Sequence, residues 1–150
     1  VNEELQHEVV AREKAREAIE SVHTARDTRV INWAQIRNVA APDCTPWPTT
    51  TANGGGTFAN GQVAMLAAGP DGLVNTADDA GQEMTPGPDN LLGTADDVPL
   101  VGFTREIAIC DVTGNPDLRQ IVVTIRYNGS GAIGNLRREY RLTTYVSRFS

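Results

Sequence analysis

From Val1 to Val39 the chain contains neither glycine nor proline, and so long a run without a breaker leaves few folds open. The part reading "VNEELQHEVVAREKAREAIESVHTARD" is rich in Glu, Ala and Arg. Ala15, Ala18, Ile19, Val22 and Ala25 recur at three- and four-residue steps, which draws one apolar stripe along a helix, and Leu5, Val9 and Val10 extend it toward the start. Glu8 with Arg12, Glu13 with Arg16, and Arg16 with Glu20 sit at helical neighbour spacing on the other faces. The pattern predicts one amphipathic helix over residues 3 to about 27, roughly 37 Å long. A further helical turn or two is expected between Ile31 and Val39, with Trp33 and Ile36 facing inward.

The last third alternates instead of stepping. "LVGFTREIAICDV" puts Val101, Phe103, Ile107 and Ile109 on one face, and "LRQIVVTIRYN" does the same with Ile121, Val123, Ile125 and Tyr127. "RREYRLTTYVSRF" follows with Tyr140, Leu142, Thr144 and Val146. The connectors "TGNPD" and "NGSGAIGN" carry Gly and Asn where hairpin turns need positive φ. An antiparallel meander results, apolar on one face and Arg- and Thr-bearing on the other. Its apolar face needs a cover, and the N-terminal helix is the one large amphipathic element available. The fold class is therefore α+β: a long N-terminal amphipathic helix packed on a C-terminal antiparallel sheet of three or more strands, with a long irregular loop insert between them. All 150 residues read as one domain, helical over 1–39, loop over 40–99 and meander over 100–150.

The insert changes character. "APDCTPWPTTTANGGGTFANG" is a loop by its prolines and glycines, with Cys44 and Trp47 as candidate pins, and "QVAMLAAG" is open between a short strand and a helical turn. Cys44 and Cys110 match no zinc spacing. They read first as a disulfide, against the alternative of two separate buried thiols. Joined, they close a loop of about 66 residues, worth about 4 kcal/mol by loop entropy.

Charge divides along the same boundary. Of the 19 acids, eight lie between Asn38 and Thr104, and none of the 13 bases does. Such a block argues against nucleic acid as a partner for that surface and suits a cation. Within it, "GPDGLVNTADD" returns 18 residues later as "GPDNLLGTADD". Asp71, Asp78 and Asp79 of the first copy match Asp89, Asp96 and Asp97 of the second, and Leu73 matches Leu91. Carboxylates spaced across such a turn, supplemented by backbone carbonyls, are what Ca2+ takes. Asn75 adds a side-chain oxygen where the second copy has Gly93. The expected metal positions are these ten: Asp71, Leu73, Asn75, Asp78, Asp79, Asp89, Leu91, Gly93, Asp96 and Asp97. This is no EF-hand, because counting from Asp71 the sixth position is Thr76 and the twelfth is Gln82. The alternative is a solvated acidic loop that binds nothing specifically. The pattern Gly-x-Asp-Gly-x-x-x-Thr-x-Asp-Asp resembles the short Asp-rich calcium loops of secreted bacterial surface proteins.

The order of parts, carried by "AREKAREAIESVHTARDTRVINWAQIRNV" and "LRQIVVTIRYNGSGAIGNLRREYRLTTYVSRFS", resembles the globular half of a type IV pilin or a type II secretion pseudopilin. The likeness spans about 100 residues and rests on layout more than on motifs. It implies a structural subunit of an extracellular or periplasmic filament, anchored in the bacterial inner membrane before assembly. Its partners would be other pilin or pseudopilin subunits and, through an apolar N-terminal helix, the membrane. The family's leader, cleavage-site Gly, and following Phe and Glu are not in this sequence, so no processing residue carries over. Val1 is expected to follow the membrane segment. The resemblance also implies a loop region stabilised by a disulfide and by calcium.

Two other functions compete. An enzyme is disfavoured: "NGSG" lacks the spacing of a nucleophile elbow, no Walker loop or H-E-x-x-H is present, and His7 and His23 lie 16 residues apart. Paired aspartates on one loop seldom hold the separation that glycoside hydrolysis needs. A stand-alone calcium-binding adhesion or surface module shares the acidic repeat but has no use for a membrane-directed helix.

Overall fold

The computed structural model describes residues 3–44, 50–66, 73–76, 81, 83–85, 95, 98–100, 102–128 and 137–149. Its first element is the helix α1, Glu3–Asp27. Ala11, Ala15, Ala18, Ile19, Val22 and Ala25 are all buried along it. Four alanines on that face let the helix approach its neighbours closely. The stripe does not pass through Val9, which is 55 % exposed. At 100° per residue, Val9 lies about a third of a turn from Ala15. Lys14 and the half-buried Val10 occupy the stripe there instead. On the exposed side Glu8 and Arg12 pair at 2.8 Å.

The helix ends without glycine. Val30 N donates to Ala25 O at 2.9 Å and Arg29 N to Arg26 O at 3.2 Å, the paired bonds of a Schellman cap. Arg29 holds the left-handed position of that cap at φ 61, where glycine is the usual occupant. A 3-10 turn, Trp33–Gln35, follows, with Asn32 and Gln35 capping each other reciprocally. This single turn replaces the expected helical stretch, yet Ile36 is fully buried and Trp33 half-buried.

Three long strands form the meander: β5 (Thr104–Val112), β6 (Asn115–Asn128) and β7 (Arg137–Ser147). All pair antiparallel, with Ile107 opposite Val123 and Val123 opposite Leu142. Gly114, at φ +82, turns β5 into β6. Phe103, Ile107, Ile109, Ile121, Val123, Ile125, Tyr127 and Val146 are buried in one cluster with α1. The helix packs across β6 and β7. The reverse face is more covered than its sequence suggests, since Ala108, Cys110, Gln120, Val122 and Thr124 are also buried.

The region read as one long irregular loop carries four two-residue strands among its described parts. β1 (Thr50–Thr51) and β2 (Val63–Ala64) both pair with the outer edge of β5, at Val112/Asp111 and Arg105/Thr104 respectively. β3 (Met84–Thr85) pairs with β4 (Val98–Pro99) in a separate ribbon. Two-residue ladders have no periodicity for a sequence to display.

Between β1 and β2 the edge of β5 is closed by one side chain. Asn38 Nδ2 donates to Ile107 O at 2.6 Å, and Ile109 N donates to Asn38 Oδ1 at 2.8 Å. The amide thus imitates the peptide of a missing strand, and the edge offers no free ladder there. Asn38 is held by "NGGG": Gly55 N donates to Val39 O and Gly56 N to Asn38 O. A Cβ on Gly56 would fall 2.1 Å from Arg37 O, so only glycine permits this approach. Cys44 and Cys110 form a disulfide, with Cα atoms 6.1 Å apart, which fastens the insert to β5.

Candidate functional site

An arginine interrupts the inward face of β5. Reading Val101, Phe103, Ile107 and Ile109 as one face passes over position 105, and that position points inward too. Arg105 is only 1 % exposed. Its Nε donates to Asn75 Oδ1 at 2.8 Å, its Nη1 to Glu83 Oε2 at 3.1 Å, and its Nη2 to Leu66 O at 3.5 Å. Glu83 Oε1 in turn lies 3.0 Å from Lys14 Nζ, which also reaches Glu17 at 3.2 Å. Helix, insert and sheet meet in this buried chain of charges. A buried charge is tolerated where it is paired and hydrogen-bonded, and here each member has a partner.

The electrostatics of Lys14 follow from its surroundings. Burial works to lower the pKa of its ammonium, but the bond to Glu83 and the charges of Glu83 and Glu17 outweigh that, and the net displacement is upward. Glu83 is fixed by its own backbone, with N donating to Met65 O at 3.0 Å and O accepting from Leu100 N at 2.9 Å.

Of the ten expected metal positions, two lie among the described residues. Leu73 is buried in the core at 1 % exposure, and its carbonyl accepts Thr76 Oγ1 at 3.4 Å. Asn75 is 2 % exposed, at φ 60. Its Oδ1 receives Arg105 Nε, and its Nδ2 donates to Arg105 O at 3.1 Å. The side-chain oxygen expected to meet a cation therefore faces a guanidinium. Asp71, Asp78, Asp79, Asp89, Leu91, Gly93, Asp96 and Asp97 lie outside the described residues. Among the described residues no group of three or more His, Cys, Asp or Glu is placed to hold a metal.

A second polar cluster sits at the other end of β5. Asp111 Oδ2 accepts from Arg37 Nη2 and Asn53 Nδ2, each at 2.7 Å. Arg119, directly across the ladder, brings Nε within 3.2 Å of Asp111 Oδ1, close enough for an ion pair though not aligned as a hydrogen bond. Its Nη1 donates to Trp33 O and Ile36 O, and the guanidinium stacks 4.2 Å from the Trp33 ring centre. Burial, and then the charge of Arg37, lower the Arg119 pKa against the pull of Asp111. This cluster locks the 3-10 turn to the sheet.

Sequence reasoning passed over Arg105, Lys14 and Glu83 as a unit. The available signals were parity, which puts residue 105 in step with 103 and 107, and Lys14's place four before Ala18. The chain matches no family model, no curated protein and no solved structure.

Proposed function

We propose that this chain is a structural subunit of a bacterial surface or periplasmic filament, of the type IV pilin or type II secretion pseudopilin kind. The observation that carries the reading is the packing of one long helix, α1, along an antiparallel sheet whose insert is tied down by a disulfide. In such a subunit an apolar helix preceding Val1 would bundle into the filament core. α1 would continue it under the sheet, and the insert would be displayed outward. The buried Lys14–Glu83–Arg105 chain suits a mechanical role, because it joins helix, insert and sheet with charge-assisted bonds. The disulfide supports an oxidising compartment, consistent with assembly outside the cytoplasm.

Calcium is proposed as the stabiliser of the 69–98 insert. Its ligands would be the carboxylates of the repeat, without the Asn75 side chain. No helix among the described residues is long and apolar enough to cross a membrane.

The test is to read the coding sequence upstream of Val1 and to label sheared surface filaments with antibody against this domain. An apolar stretch of about 20 residues with a Glu near its start, together with labelling along filaments, is the expected result. A signal peptide cleaved just before Val1, with the protein found free or in the matrix, would overturn it.

A further inference from the structure

At the C-terminal end of α1 three arginines from different parts of the chain converge. Arg26 from the last turn, Arg29 from the cap and Arg148 from beyond β7 line a cleft of about 320 Å³ with Asp27 and Phe149. We propose that this cleft binds an oxyanion of the phosphate or sulfate type.

The argument starts from the cap. The left-handed position of a Schellman motif is one that glycine fills without steric cost and other residues fill with strain. Here it holds an arginine at φ 61 in a segment whose surface position does not demand a long side chain. Strain kept in this way is a pointer to use. Among the described residues the Arg29 guanidinium makes no hydrogen bond or ion pair. Arg148 is more than half exposed; it reaches Asp117 only at 3.6 Å and lies 5.9 Å from the centre of the Phe149 ring. Arg26 is already anchored. Its Nη1 donates to Ser147 O at 2.9 Å, and Nε and Nη2 both donate to Asp27 Oδ1.

Two forked guanidiniums, Arg148 only loosely paired with Asp117, beside a third that is held in place by Asp27 and Ser147, supply the kind of donors that oxyanions accept in pairs. The opposing charges are Asp27 inside the cleft and Asp117 at its side. Among the described residues, three guanidiniums against the carboxylates of Asp27 and Asp117 leave the cleft cationic in a protein of net charge −6. Complementing the carbonyl end of the helix would need cations near the last turn, but not an arginine in the strained cap position.

The experiment titrates inorganic phosphate and sulfate, against chloride at matched ionic strength, by calorimetry and by amide chemical shifts. Saturable binding at Arg29 and Arg148 is expected. Arg29→Gly should weaken it at least about tenfold while raising the melting temperature by about 2 °C through relief of the cap. Arg148→Gln should weaken it similarly, and Asp27→Asn should tighten it severalfold. Responses to phosphate and chloride that coincide, or binding unchanged in Arg29→Gly, overturn the proposal. Vesicles of phosphatidylglycerol and of phosphatidylcholine separate the sources. Arg29-dependent retention on the former alone places the anion in a lipid headgroup, and binding of free phosphate without retention places it in a soluble ion. Retention that survives Arg29→Gly overturns the proposal.

Discussion

Lys14 Nζ lies 3.0 Å from Glu83 Oε1, and through that contact the helix holds the acidic insert. Because Glu83 also receives Arg105, its removal takes a carboxylate from two buried cations at once, leaving Lys14 with Glu17 alone and Arg105 with the neutral oxygens of Asn75 and Leu66. Breaking a buried pair from one side costs about 3–5 kcal/mol. Glu83→Ala should therefore lower the unfolding free energy by about 4 kcal/mol. Lys14→Met, which leaves Glu83 its bond to Arg105, should cost about 1–2 kcal/mol. Urea denaturation of both variants checks the order. Equal losses would mean that the three residues do not act as a chain.

The same network sets an alkaline limit. Lys14 has a pKa raised above the ordinary 10.5, so the folded state holds its proton more tightly than the unfolded state does. The stabilisation this gives is fully present below 10.5 and is lost as pH rises through the higher folded value. Stability measured from pH 9 upward should decline more steeply in the native protein than in Lys14→Met. Parallel curves would remove Lys14 from the account.

Asn38 offers a sharper test, because it is fully buried and serves the backbone of β5 directly. Asn38→Ala leaves the Ile107 carbonyl and the Ile109 amide without partners, at about 1–3 kcal/mol for each buried group. A loss of about 3 kcal/mol is expected, together with much faster hydrogen exchange at Ile109 and little change at Val123 in the central strand. Uniform acceleration across the sheet would indicate global unfolding rather than an opened edge.

How far the sequence disclosed this arrangement depends on how long each pattern runs. The helix Glu3–Asp27 was legible because a glycine-free stretch with an apolar stripe admits little else. The meander was legible because alternation over nine or more residues fixes which side chains share a face. Arg105 was not, since a charge at an inward position breaks the alternation that reveals inward positions. Asn38 was hidden for a related reason: its partners are backbone groups about 70 residues away, and "NGGG" signals only a turn until its close approach to Arg37 is known. β1 to β4, two residues each, are too short to have a period.

The Cys44–Cys110 bond closes a loop of 66 residues, and on the loop-entropy account its loss costs about 4 kcal/mol. Alkylation under denaturing conditions should find no free thiol before reduction and two after it. Reduced protein, or the Cys44→Ser/Cys110→Ser double variant, should lose about that much stability. A loss below 1 kcal/mol would show that β1 and Asn38 hold the edge of β5 unaided.

Calcium and Asn75 are expected to separate cleanly. If the carboxylates of the repeat hold the cation, calcium at a hundredfold excess over its dissociation constant adds about 2.7 kcal/mol to folding. The melting temperature should rise accordingly and fall back with chelator. Asp71→Ala should abolish that rise while leaving the apo protein nearly unchanged. Asn75→Ala should do the reverse. Its side chain is bonded to Arg105 at both ends, so the variant loses baseline stability but keeps the calcium-dependent increment. Comparing the increment, rather than the melting temperature itself, distinguishes a ligand from a residue that anchors the turn. An increment lost in Asn75→Ala but kept in Asp71→Ala would invert the assignment, and no increment in the native protein would remove calcium from it.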